Sequence, residues 1–204
     1  MTSGAQAARR VPFDRVAVRY SAPETGGALT PRFLFDRQVA FLVRVEAILE
    51  DGALSEGYID RHLRTTVERH IAEQMLAALQ VRSSEPANLP ARVKIAREDW
   101  VRLVGAAAFE ESMRAEGISE GELTAMLQDR VRAMEYLDKE ITSFTQPSED
   151  DLYASFRASP HPYRNKKYDD ARQEFLRWYE LTRYRALSLD YLQGVKSRTT
   201  IVYL

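Results

Sequence analysis

Two short runs of β-formers stand near the two ends of this chain, and the stretch between them is patterned as helix. Val16-Ala17-Val18-Arg19-Tyr20 is β-branched and aromatic. Thr199-Thr200-Ile201-Val202-Tyr203-Leu204 is built of β-formers throughout. An isolated strand leaves its backbone amides and carbonyls unpaired, so each run needs a partner. The economical solution is that they pair with each other; the alternative is that either is a frayed tail. Pairing predicts a mostly α fold, a helical domain of about six to seven helices with a small two-stranded sheet formed by the N- and C-terminal strands.

The apolar spacing sets out the helices. Pro23 with Gly26-Gly27 closes the first strand in a loop, and Thr30-Pro31 reads as a helix start, with Phe35, Val39, Leu42 and Leu49 on one face ending near Gly52. Ser55 is placed to cap a second helix, whose Ile59, Leu63, Val67, Ile71, Met75 and Leu79 form a core-facing stripe through to Val81. After a loop over residues 83–88, Leu89-Pro90 opens a helix carrying Val93, Trp100, Val101 and Val104 before Gly105. Phe109 and Met113 belong to a short continuation that Gly117 stops. Ser119 and Glu122 form a capping box ahead of a near-heptad stripe of Leu123, Leu127, Val131, Met134, Leu137 and Ile141. Pro147-Ser148 starts a short helix through Leu152, Tyr153 and Phe156, broken by Ser159-Pro160-His161-Pro162. A long helix from about Tyr168 carries Phe175, Trp178, Leu181 and Tyr184, and Gly194 is placed to end it. Leu54-Ser55-Glu56-Gly57 and Ile118-Ser119-Glu120-Gly121 echo each other, as a shared capping solution or as an internal repeat.

Composition removes several chemistries. The chain has 204 residues and 45% hydrophobic composition, enough for a buried core in one domain or two small lobes. It has no cysteine, which excludes disulfides, thiol nucleophiles and cysteine-ligated metal sites and leaves the redox compartment open. A formal net charge of -1 gives no field to gather nucleic acid or anionic lipid. No run approaches the roughly 18 apolar residues of a membrane span, so no membrane insertion is expected.

The remaining signals are weak. His62 and His70 lie eight apart and His161 sits between prolines. A site from His62, His70 and Glu73 would have to be forced, and exposed helix histidines are the plainer reading. No G-x-S-x-G elbow or glycine-rich phosphate loop occurs, so no catalytic residue, metal or cofactor is expected. Glu110-Glu111 and Glu149-Asp150-Asp151 read as solvated caps. Arg164, Lys166, Lys167, Arg172, Arg177, Arg183 and Arg185 are interleaved with Tyr163, Tyr168, Trp178, Tyr179 and Tyr184. Asp169, Asp170, Glu174 and Glu180 dilute this basic run, so it reads as a solvated helix face packing its aromatics inward, with no nucleic-acid partner expected.

The order of these elements resembles the N-terminal domain family of the SurA periplasmic chaperones. The resemblance lies in the run Ser119 to Ile141 followed by Thr142-Ser143-Phe144-Thr145-Gln146-Pro147-Ser148-Glu149-Asp150-Asp151-Leu152-Tyr153. It lies also in the tail, from His161-Pro162-Tyr163-Arg164 through Tyr168-Asp169-Asp170-Ala171-Arg172 to the basic-flanked strand at Val195 to Leu204. Residues 15 to 80 fit more loosely. The resemblance implies a flexible N-terminal arm over 1–14 and a SurA-like chaperone domain over 15–204, with a helical body over about 31–142 and C-terminal helices and strand over about 147–204. It departs from the family in the longer Ser21 to Leu29 stretch and in leaving no segment for a parvulin-type prolyl isomerase, so isomerase activity is not implied.

What the resemblance implies is non-catalytic binding of unfolded or extended polypeptide clients, typically outer-membrane protein precursors, in the periplasm; the alternative location is cytoplasmic. Phe144, Tyr153, Phe156, Tyr163 and Trp178 gather around the linker and last helix and are the candidate polypeptide-binding residues, with core packing as the competing use of each. Two other classes stay open. An all-helical ligand-responsive transcription regulator would need a helix-turn-helix, where residues 1–29 offer an arm and a strand. A structural assembly module would exchange its terminal strands in a homodimer.

Overall fold

A computed structural model describes residues 14–22, 28–83 and 85–204. The arm expected over 1–14, apart from Asp14, and the loop at Pro23 and Gly26-Gly27 lie outside the described residues. The order of elements is β1 (Val16–Ala22), β2 (Ala28–Phe35), α1 (Asp36–Asp51), α2 (Tyr58–Ser83), α3 (Leu89–Val104), α4 (Ala106–Glu116), α5 (Glu120–Thr145), α6 (Glu149–Ala158), α7 (Tyr168–Ser197) and β3 (Thr200–Tyr203).

The two end strands do pair. Val18, Arg19, Tyr20 and Ser21 stand opposite Tyr203, Val202, Ile201 and Thr200 in an antiparallel ladder. The sheet nevertheless has three strands, in the order β2-β1-β3, where two were expected. Thr30-Pro31 begins no helix: it lies inside β2, which pairs antiparallel with β1, and α1 starts only at Asp36. Proline is tolerated there because β2 is an outer strand and its register is irregular between Tyr20 and Ala22, so no central ladder bond is lost. β1 is the central strand and alternates accordingly, burying Val18, Tyr20 and Ala22. The Tyr20 hydroxyl donates to the Gln74 side chain, tying the sheet to α2.

Two apolar clusters share α1 and α5. One joins Val18, Tyr20 and Leu34 of the sheet to α2, to Ala133, Leu137 and Ile141 of α5, and to Val195 of α7. The other packs Phe41, Leu42 and Val45 of α1 against Trp100, Phe109 and the first half of α5, with the Phe41, Trp100 and Phe109 rings 5.9 to 6.3 Å apart. α5 reaches both because its start is fixed: the Ser119 hydroxyl accepts from the Glu122 amide while the Glu122 carboxylate accepts from the Ser119 amide.

Some local expectations change. Ser55 does not cap α2; its hydroxyl accepts from Arg61, and the helix starts at Tyr58, so the two Ser-Glu-Gly echoes do not share a cap. Ile59 and Met134, expected in core stripes, are exposed, as is Leu49 at the edge of its face. On α2, a strict four-residue spacing advances about 40° per step around a helix with 3.6 residues per turn, so the stripe from Ile59 to Leu79 cannot keep both ends inward. Gly194 does not end the last helix, which runs on to Ser197.

Candidate functional site

α7 is the element that organises the candidate site, because its two halves have different neighbours. Its first half packs on α6. Phe175, fully buried, lies 5.0 Å from the Phe156 ring, 4.8 Å from His161, and 5.5 Å from Trp178 in a stacked pair. Phe156 meets Tyr168 at 5.2 Å, and Tyr153 meets Tyr168 at 5.0 Å. Tyr163 stacks on the other side of His161 at 6.4 Å. Outside the rings, Glu149 at the start of α6 accepts from Arg172 and from the Tyr168 hydroxyl, at 2.7 Å for the latter. These two donors hold its carboxyl down at about 2. Burial and the same carboxylate push the Tyr168 phenol up to about 12.

Four of the five expected polypeptide-binding residues, Tyr153, Phe156, Tyr163 and Trp178, are therefore brought together in one ring cluster that joins α6 to α7. Tyr153 keeps an exposed side, at 47%. Phe144 is separate: at 64% exposure it stands at the end of α5.

The second half of α7 lies along α5. Tyr191 donates to the Tyr136 hydroxyl at 3.3 Å, Tyr184 to Asp138 at 2.6 Å, and Arg183 Nε to the Phe144 carbonyl at 2.7 Å. As positions rise on α5 they fall on α7, so the two helices are antiparallel. Burial and the Asp138 carboxylate push the Tyr184 phenol up to about 12, and burial together with Tyr136 raises Tyr191.

Between these helices, roofed on one side by Leu79 of α2, opens a cleft of about 730 Å³. Tyr136, Glu140, Ile141 and Phe144 line it from α5, and Leu187, Asp190, Tyr191, Gly194, Val195 and Arg198 from α7 and its end. Tyr136, Glu140 and Phe144 recur every four residues and so share one face of α5. The cleft is open at Gly194: a Cβ built there would meet no atom within 4 Å. At about 1.5 Å per residue, the α5 wall from Tyr136 to Phe144 is about 12 Å long and the α7 wall from Leu187 to Arg198 about 16 Å. An extended chain advances about 3.3 Å per residue, so the cleft accommodates about four to five residues. Of its lining, sequence reasoning had singled out Phe144, Ile141, Leu79 and, as a helix end, Gly194. Tyr136, Glu140, Leu187, Asp190 and Tyr191 were missed, although the four-residue spacing of Tyr136, Glu140 and Phe144 was there to be read.

A polar seam runs between the two apolar clusters, and it contains histidines expected to be exposed. His62 and His70 are buried, as is His161. His62 faces Asp51 at 3.0 Å and Glu50 at 3.3 Å, and His70 faces Gln74 at 3.3 Å. His161 accepts from the Tyr163 amide at Nδ1 and donates from Nε2 to the Phe156 carbonyl at 2.8 Å, which fixes its tautomer. Each ring is buried because its nitrogens have partners. Around His70, Arg69 pairs with Glu46, and Arg130, 5.4 Å above the Trp100 ring, pairs with Glu73 at 3.2 Å. Burial works to raise both carboxyls. Arg69 at Glu46, and the neighbouring His70 ring with the Arg130 charge at Glu73, overcome it and hold them below the ordinary range. This seam has the composition of a paired internal network. Among the described residues no group of three or more histidine, aspartate or glutamate side chains could hold a metal ion, and no helix is long and apolar enough to cross a membrane.

No family model, curated protein or solved structure matches the chain.

Proposed function

We propose that this chain is a non-catalytic, chaperone-like protein that binds unfolded or extended polypeptide in the cleft between α5 and α7. The observation that carries this reading is the cleft itself: about 730 Å³, walled largely by Leu79, Ile141, Tyr136, Tyr191, Leu187 and Val195, with the exposed Phe144 ring at one end. Such a surface gains by covering apolar side chains of many shapes, because desolvation is non-directional. Its length fits a short extended segment, so a non-native chain could engage it wherever it presents an apolar side chain. The likeness of the Ser119 to Tyr153 run and of the tail to the SurA N-terminal domain family supports the same function, with outer-membrane protein precursors as clients and the periplasm as location.

The test is suppression of aggregation of a chemically denatured client by equimolar protein, with light scattering as readout. G194W, which places an indole into open space, abolishes suppression while leaving the helical circular dichroism intact. Absence of suppression by the unmodified chain at several-fold excess refutes the reading.

A further inference from the structure

The cleft carries charge as well as apolar surface, and the charge is of one sign along its middle. Glu140 on α5 and Asp190 on α7 both line it, and both are exposed. Neither forms an ion pair or hydrogen bond with any described residue. This sets them apart from Glu46, Glu68, Glu73, Glu135 and Glu149, each of which has an arginine or lysine partner. Arg198 bounds the far end of the cleft, beyond Tyr191 from Phe144. The lining therefore runs from an aromatic end at Phe144 and Leu187, through two unpaired carboxylates, to a cation.

We infer that the cleft selects extended segments in which a bulky apolar residue and a lysine or arginine stand two positions apart. This rests on the polypeptide-binding reading and specifies its client. The spacing comes from the walls. Glu140 lies one helical turn from Phe144, about 6 Å along α5. Residues i and i+2 of an extended chain share a face and stand about 6.6 Å apart. An apolar side chain on Phe144 and Leu187 thus sets the residue two positions away beside Glu140, with Asp190 on the facing wall. A cation there meets two carboxylates that pair with no described residue. An acidic residue is repelled, and a second cation further along meets Arg198.

Fluorescence anisotropy with labelled, otherwise Gly/Ser peptides that carry Phe and Lys, Phe and Gln, or Phe and Glu separated by one serine, in both orders, reads this directly. The Lys peptide binds more tightly than the Gln peptide by about fivefold to tenfold, the range expected of two exposed ion pairs, and the advantage shrinks in high salt. The double variant E140Q/D190N removes the advantage, so that the Lys and Gln peptides bind it alike; G194W weakens all three. Equal binding of Lys and Gln peptides by the unmodified chain overturns the selectivity while the polypeptide-binding reading stands. Binding of none of them, with no suppression of client aggregation, overturns both. A concentration-dependent doubling of mass that G194W abolishes gives the cleft to a second copy of the chain and overturns the inference.

Discussion

Replacing Phe175 by alanine should release α6 from α7 without unfolding the rest of the molecule. Phe175 is fully buried and its ring lies within 4.8 to 5.5 Å of Phe156, His161 and Trp178, so it is the common neighbour of the cluster. Truncating a buried phenylalanine costs about 3 to 5 kcal/mol, part of it for the cavity left among the remaining rings. α6 has 10 residues, and helices shorter than about 12 residues are marginal alone, so it has no intrinsic stability to set against that loss. The body does not share the cost, because the second half of α7 is held separately by Tyr184, Tyr191 and Val195 against α5 and α2. A loss of about 3 kcal/mol raises the open population of α6 about a hundredfold. Native-state hydrogen exchange resolves the two regions: protection over Leu152 to Phe156 should fall about a hundredfold, and protection over Leu127 to Ile141 should change little. F175L, which keeps much of the volume, should lie between. Equal loss in both regions would show that the ring cluster belongs to one cooperative core, and unchanged α6 protection would show that other contacts hold it.

The same junction should be acid-sensitive. The Glu149 carboxyl is held at about 2 by Arg172 and Tyr168, well below its unfolded value near 4.5, so its contribution is complete above about pH 4.5 and is lost as pH falls toward about 2. Trp178 fluorescence followed through that window should report loosening of α6 in the unmodified chain, and E149Q should flatten the titration; an identical acid limb in both would refute the role of Glu149. Gly194 stands inside α7 with open space around its missing Cβ, so G194A should raise stability by about 0.5 to 1 kcal/mol, read as a higher denaturant midpoint. A lower midpoint would mean that the helix needs the glycine for a contact other than the open cleft.

Helix positions were legible wherever a local signal fixed an end. Ser119 with Glu122, Ser148 ahead of Asp151, Leu89-Pro90, Gly52 and Gly117 all act through backbone groups within four residues, and each sits at the terminus its chemistry demands. The third strand was hidden for the same reason. Thr30-Pro31 carries a local helix-start signal, but the pairing of β2 with β1 depends on a partner outside any local window, and that partner overrides the propensity. His62 and His70 were misplaced because burial of an imidazole depends on its surroundings in the fold, such as Asp51 from α1 beside His62.

The candidate site divides along the same line. Aromatic residues near the linker were visible in sequence, yet exposure and internal packing draw on the same residue types, and only the fold decides between them. Tyr153, Phe156, Tyr163 and Trp178 are largely spent on joining α6 to α7, while Phe144 stays exposed at the end of α5. The spending has a consequence for function. The second half of α7 is held on the body by Tyr184, Leu187, Tyr191, Leu192 and Val195 and by the Lys196–Glu68 ion pair, while Asp190 and Gly194 border the open cleft toward α5. A residue with a side chain at Gly194 would add helix propensity that glycine lacks. The cleft is thus the part of the molecule where stability has been forgone, which is where a binding function is expected to lie.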